Sequence, residues 1–385
     1  MEFSDYTTKR YYEEYDKFVS CDKVSTLLTP FPPSEDSRWV MSGNIMQFAN
    51  SRGNMFQQWI GIHFLIGDIL YEIRRKSQEQ LCAAAMFRPF TQVSSESSTV
   101  DTAAIVTLMD NILGISVQDF SLTVSLKIDF REELHSDQAY IVEMNTASPT
   151  ATKSGATRFV TQCALVCDGR VCVAATGVHI QTLQMKDPEN YSDKVPESQQ
   201  CAWREMRAES LSEQLEGLFK TENQAAVKSY KLAYKDYDKD SMMWLLSDTT
   251  VAMISKRYHV NFSLNYDSYA LRNKKYWIGL ARISQERIVG AVWFSCLCEG
   301  NARFAHGGST CSALLAAATE FFRSHKHVRS IDIRYRGVVR IETTYEVSCR
   351  MEKEGVCFAE IIEPKTAKVC VELKLTFTPF LINKI

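Results

Sequence analysis

SLKIDF, residues 125–130, returns as SIDIRY, residues 330–335, and this repetition decides the fold. Ser125 answers Ser330, Leu126 answers Ile331, Ile128 answers Ile333 and Phe130 answers Tyr335, all at one spacing of 205 residues (Ser125 to Ser330). Apolar residues at every second position are what a strand with one buried face requires. The same spacing pairs Tyr140 with Tyr345 and Val142 with Val347. Farther on, GRVCV (169–173) answers AKVCV (367–371), with a step from Val347 to Cys370 that is seven residues shorter than that from Val142 to Cys172. A longer hairpin in the first copy accounts for the difference. Two copies of one structural unit follow.

Each copy reads as a helix followed by strands. Thr102–Val117 is apolar, free of Pro, with Gly114 only near its end, and Gly308–Arg323 is its counterpart; alternating runs rich in Val, Ile and Thr fill Leu122–Leu183 and Val328–Thr378. One helix of about four turns wrapped by an antiparallel sheet is an α+β plan.

Around these copies the 385 residues divide further. Residues 1–55 read as an N-terminal extension containing the turn signal PFPP (30–33), and 56–188 as the first unit. Residues 189–274 read as a linker with a helical insertion, entered through the polar segment KDPENYSDKVPESQQ (186–200), and 275–385 as the second unit. The most apolar stretch, Trp59–Ile73, holds His63 and Asp68 and is too short to span a bilayer, so it is expected to be a core-packing helix.

Composition narrows the function classes. With 44 Lys and Arg against 46 Asp and Glu the net charge is −2, so nothing in the balance calls for nucleic acid or an anionic membrane. The 12 cysteines are scattered, several inside alternating runs such as Val171-Cys172-Val173 and Val369-Cys370-Val371, as buried reduced thiols would be. Cys296 and Cys298 have no second pair of ligands at zinc spacing and would share one side of a strand, so no metal is expected. The acid-bearing amino terminus, MEFSDYTTKRYYEEYDKF, is neither a transit peptide nor a signal peptide, which leaves a cytosolic protein or one whose presequence precedes this numbering. An intracellular compartment is expected, with mitochondrion and cytosol both open.

FAHGGSTCSALLAAATEFF (304–322) resembles the H-G-G that opens the central helix of hotdog-fold acyl-CoA thioesterases of the PaaI-like type, and TLMDNILGIS (107–116) resembles that family's mid-helix segment, where an Asp stands nine residues after the His. The resemblance covers roughly 80–185 and 278–380 and implies two tandem hotdog domains forming a pseudo-dimer. At the repeat spacing His306-Gly307-Gly308 faces Asp101-Thr102-Ala103, and Asp110 faces Leu315, so each copy carries half of the motif. In the family a site at the dimer interface takes its glycine from one subunit and its Asp from the other. The resemblance therefore implies one composite site of Gly307 and Asp110, joined by Thr123 at the start of the following strand and Asn301 in the loop before H-G-G. Thr102, Leu315 and Val328 would form its empty counterpart.

These residue types suit the chemistry. The unpaired N–H groups at a helix start let Gly307 polarise a thioester carbonyl at close range. Asp110 would be general base or nucleophile, Thr123 would orient water and Asn301 would hold the nucleophilic or carbonyl side. Plainer uses exist for each: Asp110 as a partner of a buried hydroxyl, Gly307 and Gly308 as a helix-packing notch, His306 as a bond to backbone near the helix start. Among Arg329, Arg334, Arg336 and Arg340, which otherwise form a solvated face, Arg334 and Arg336 are candidates to grip the phosphates of coenzyme A, a part of the substrate and the only cofactor implied. The leading expectation is an acyl-CoA thioester hydrolase. Its alternative is a catalytically inactive hotdog pair serving as a structural or assembly subunit, with protein partners meeting the N-terminal extension and the inter-domain region.

Overall fold

The computed structural model describes residues 99–181 and 249–377 apart from short breaks, together with the backbone of five strands between 37 and 86. Strands β1 (Ser37–Ser42), β2 (Ile45–Asn50) and β3 (Met55–Phe56) form a small antiparallel sheet inside the stretch read as an extension. The first half then runs β4 (Leu70–Arg75), β5 (Gln80–Met86), α1 (Thr102–Ser116), β6 (Leu122–Phe130), β7 (Ala139–Thr146), β8 (Thr150–Ala151), β9 (Thr157–Cys167) and β10 (Arg170–Gln181). After α2 (Thr249–Tyr258) and β11 (Ser263–Leu264), the second half runs β12 (Tyr276–Ser284), β13 (Arg287–Phe294), β14 (Glu299–Asn301), β15 (Phe304–Ala305), α3 (Gly307–Thr319), β16 (Val328–Tyr335), β17 (Thr344–Lys353), β18 (Val356–Glu363) and β19 (Lys368–Phe377).

All the major strands belong to one antiparallel sheet in the order β11-β12-β13-β17-β18-β19-β16-β6-β10-β9-β7-β5-β4. Outward from β16 and β6 the order reads alike in both halves. The seam is made by the repeated hexapeptides themselves: Ile331 pairs with Ile128, Ile333 with Leu126, and Asp332 with Lys127. Lys127 and Asp332 are equivalent positions of the two copies, so a local twofold axis passes between them. The seven-residue difference is the net of two hairpins: the β7–β9 connection, which carries β8, is nine residues longer from Thr146 to Thr161 than the tight turn from Met351 to Cys357, where Gly355 has φ 78°, and the turn from Cys167 to Arg170 is two residues shorter than that from Glu363 to Lys368.

α1 and α3 lie side by side on one face of this sheet. Both are apolar nearly all round because each is covered by sheet on one side and by the other helix on the next. Leu108, Ile112 and Leu314 have no exposure at all, and each such burial contributes about 1.5–3 kcal/mol relative to an exposed side chain. Close approach needs small residues, and α3, GGSTCSALLAAAT, supplies them. At Gly308 a side-chain carbon would run into the Thr107 side chain of α1.

Four expectations are corrected. Two strands precede the helix in each copy, β4 and β5 in the first, β12 and β13 in the second. β13 (RIVGAVWF) is buried at every position after its first because α2 also packs against it, so it has no alternation to read. The end of the apolar stretch Trp59–Ile73 is strand rather than helix, with Ile73 in β4 opposite Ala83; residues 59–69 lie outside the described residues. The second helix stops at Thr319 rather than Arg323, where Arg282 of β12 donates to the Glu320 carbonyl. Cys298 precedes β14 rather than lying on a strand, and Cys296 lies outside the described residues. So do the linker 186–200 and the helical stretch expected at 204–230.

α2 comes from the inter-domain region and docks on the second half. Glu346 of β17, 1% exposed, receives Arg257 Nη1 and Tyr258 Oη, each at 2.5 Å. At the equivalent position of the first half stands Ile141. No helix among the described residues is long and apolar enough to cross a membrane.

Candidate active site

Asp110 sits midway along α1 on the side facing α3 and is 5% exposed. Its Oδ1 accepts a hydrogen bond from Thr123 Oγ1 at 2.9 Å. Thr123 reaches it because β6 carries a bulge: Val178 of β10 pairs with Ser125, but His179 pairs with Thr123, and Val124 is skipped. The bulge also brings His179 Nδ1 to 3.5 Å from Thr123 Oγ1, while His179 Nε2 lies 3.1 Å from Thr161 Oγ1. With the Thr123 proton given to Asp110, any hydrogen between Thr123 and His179 comes from Nδ1, and Thr161 then donates to Nε2. Burial pushes His179 down to about 4, so the ring is neutral. Gly177 makes room for it, since a side-chain carbon there would stand 2.7 Å from His179 Nε2.

The second half contributes the start of α3. His306 is its N-cap, with Nδ1 accepting the Gly308 N–H at 2.9 Å. Nδ1 is therefore unprotonated, and the neutral ring carries its hydrogen on Nε2, 3.7 Å from Asp110 Oδ2. Burial moves both members of this pair toward neutrality. It raises Asp110 above the ordinary carboxylate value, opposed by His306, the Thr123 hydrogen bond and the Gly308 N–H, and it lowers His306, opposed by Asp110. At Gly307 a side-chain carbon would fall 2.5 Å from Asp110 Oδ2 and 2.7 Å from Tyr335 Oη. Glycine is needed here because two polar groups crowd the helix start.

Asp110, Thr123, His306, Gly307, Thr310 and Tyr335 line one cavity of about 220 Å³ between the halves. Val338, 46% exposed, stands on its wall. The Tyr335 hydroxyl is buried and has no hydrogen-bond partner among the described residues.

The twofold supplies an internal comparison. At the equivalent bulge of the second half Thr376 pairs with Ser330 and Phe377 with Val328. The positions of Asp110, Thr123, His179 and Thr161 are there taken by Leu315, Val328, Phe377 and Cys357, and Tyr335 is answered by Phe130. Leu315, Phe377 and Cys357 are buried in the hydrophobic core. Polar groups thus gather at one of two equivalent places.

Of the residues singled out from sequence, Asp110, Gly307, Thr123 and His306 come together. Asn301 lies in β14, and its side chain is outside the described residues. Arg334 and Arg336 flank Tyr335, are exposed and do not line the cavity; Arg334 Nε is 3.7 Å from Asp332 and Arg336 Nε 2.6 Å from Glu372. His179, Thr161 and Tyr335 escaped the sequence reading, although each is a polar residue answered by an apolar one or a thiol in the other copy. Among the described residues no group of three or more His, Cys, Asp or Glu is placed to hold a metal ion.

No protein-family model and no curated protein matches the chain. Solved structures do. The chain is similar to the tesB protein of Mycobacterium avium subs paratuberculosis, at 8% identity over 83% of this chain and 98% of that one, with a TM-score of 0.44. It is likewise similar to an acyl-ACP thioesterase from Bacteroides thetaiotaomicron, at 9% identity over 78% of this chain and 100% of that one, with a TM-score of 0.46. A third similar structure, described as having a hot dog fold, comes from Alicyclobacillus acidocaldarius, at 8% identity over 83% of this chain and 98% of that one, with a TM-score of 0.42. These are likenesses of chain path.

Proposed function

We propose that the chain is a tandem pair of hotdog domains that hydrolyses an acyl-CoA thioester at one site between them. The observation that carries this reading is the one-sided distribution of polar groups: Asp110, Thr123, His179 and Thr161 at one place, Leu315, Val328, Phe377 and Cys357 at its equivalent. A carboxylate buried at a cost in stability and turned toward a cavity is what a proton-accepting group needs.

Thr123 holds Asp110 through Oδ1, which leaves Oδ2 for the substrate side. The ionised carboxylate takes a proton from a water molecule as the water oxygen bonds to the thioester carbon. The carbonyl electron pair moves onto its oxygen, facing the Gly307 N–H. When the carbonyl re-forms, the carbon–sulfur bond breaks and the sulfur leaves as the thiol of coenzyme A, carrying the proton that Asp110 held. Thioester and water become acid and thiol. His306 fixes the helix start, Asn301 would hold the nucleophilic or carbonyl side as the resemblance implies, and Arg334 and Arg336 on the exposed face meet the coenzyme A phosphates. Protein partners would meet the N-terminal extension, residues 1–55, and the part of the inter-domain region 189–274 other than α2 and β11, which pack on the second half.

The test is thiol release across a panel of acyl-CoA chain lengths. Turnover of at least one member that disappears in Asp110→Asn is expected. A folded protein that hydrolyses none of them would put the structural-subunit reading in its place.

A further inference from the structure

We infer that Tyr335 is a catalytic residue whose phenol donates a second hydrogen bond, beside the Gly307 N–H, to the thioester carbonyl oxygen. The inference rests on the thioesterase reading above. Its starting point is a hydroxyl that is buried, lines the cavity and has no partner among the described residues. Such a group lowers stability unless something completes its hydrogen bond. The Thr310 hydroxyl beside it gives its single proton to the Gly307 carbonyl at 2.8 Å and so is not a donor to the phenol.

Position supplies the next step. Tyr335 Oη and Asp110 Oδ2 stand 2.7 and 2.5 Å from the point where a Gly307 side chain would begin. The phenol, the first N–H of α3 and the carboxylate therefore converge on one spot. The helix offers no acceptor to its own first N–H, so two donors await an acceptor beside one base. A carbonyl oxygen gaining negative charge meets that demand, with water held by Asp110 on its other side.

The twofold again supplies the control. Tyr335 and Phe130 are equivalent residues in SIDIRY and SLKIDF, and they differ only by the hydroxyl. The hydroxyl occurs at the place that has the carboxylate and is missing at the place that has Leu315. Burial, with Asp110 and Cys311 nearby, pushes the phenol well above its ordinary value. It donates without giving up its proton, and the balance of the hydrolysis is unchanged.

Tyr335→Phe tests this, since Phe130 occupies the same position of the other copy. We expect kcat to fall about 100-fold, KM to change little, and the melting temperature to hold or rise. A second readout uses the coenzyme A ketone analogue in which the thioester sulfur is replaced by a methylene carbon, labelled with carbon-13 at the carbonyl. Its downfield shift on binding should shrink in Tyr335→Phe and persist in Asp110→Asn. Should Tyr335→Phe fold poorly, 3-fluorotyrosine at 335, a stronger donor of the same shape, should enlarge that shift. Wild-type kcat in Tyr335→Phe, or a carbonyl shift indifferent to both replacements, overturns the assignment alone. A wild-type protein that hydrolyses no acyl-CoA overturns it together with the thioesterase reading.

Discussion

Thr123 donates its hydroxyl proton to Asp110 Oδ1 at 2.9 Å, and this bond determines which carboxylate oxygen faces the cavity. The rest follows from opposing influences on one acid. Burial raises Asp110 from its ordinary 3.8, while the Thr123 bond acts in the other direction. The acidic limb of kcat/KM should therefore have its midpoint above 3.8. Thr123→Val, which copies the Val328 of the other half, should move that limb to still higher pH. Asp110→Asn should remove it along with most turnover, a loss of about 10²–10⁴-fold. Stability carries the same signature. Between 3.8 and the raised value the native state binds more protons than the unfolded chain, so wild-type stability falls as pH rises through that window, and Asp110→Asn should lack this fall. pH–rate profiles and melting curves check both, and a limb that ignores Thr123→Val would separate the threonine from the acid.

How much of this was legible follows from where each residue stands. Helix α1 and the seam strands could be read because their periodicity is local: Leu126 and Ile128 alternate, and no Pro interrupts Thr102–Ser116. The Asp110–Gly307 meeting could be expected because a single spacing of 205 residues relates the copies and the family they resemble takes glycine and Asp from opposite sides of a dimer interface. His179 could not be placed in the same way, since it reaches Thr123 only through a bulge at Val124, and a bulge is a property of pairing rather than of either strand. β13 was missed for a different reason, being buried on both faces. A signal for His179 and Tyr335 did exist, in the difference between the copies: His against Phe377, and Tyr against Phe130.

His179 should impose its own pH dependence on stability. Its folded value of about 4 lies below the ordinary 6.5, so between these limits the unfolded chain binds more protons than the native one. Stability is full above 6.5 and is lost as pH falls toward 4, by about 3 kcal/mol in all. His179→Gln keeps a polar group between Thr123 and Thr161 and does not titrate. Denaturant unfolding between pH 4 and 7 should show a shallower slope for the variant, and equal slopes would remove His179 as the source.

Gly308 and Thr107 make a prediction about packing alone. A side-chain carbon at 308 would collide with the Thr107 side chain, so Gly308→Ala should cost about 1–3 kcal/mol by forcing α1 and α3 apart. At the equivalent crossing the sequence has Ala103 and Ser312, the same pair of positions filled the other way. Thr107→Ser added to Gly308→Ala should therefore recover part of the loss. Melting temperatures of the two single variants and the double variant measure the coupling, and strictly additive effects would show that the two residues do not meet.

The last prediction is stoichiometric. A twofold brings the start of each helix near the middle of the other, so the chain has two places where a helix N-terminus could face a mid-helix residue. At one, Gly307 meets Asp110, with His306, Thr123 and Tyr335 around the cavity. At the other, Leu315, Val328 and Phe377 stand where the carboxylate, the hydroxyl and the imidazole would be. On the thioesterase reading proposed above, an acyl-CoA would find a polarising helix start with a facing base at the first place alone, so calorimetric titration with a non-hydrolysable acyl-CoA should give one site per chain. Gly307→Ala, whose added carbon would enter the space between Asp110 Oδ2 and Tyr335 Oη, should abolish that one site and uncover no weaker second one. Two equivalent sites in the wild type would mean that the apolar place also binds, and binding that survives Gly307→Ala would mean that the ligand sits elsewhere on the chain.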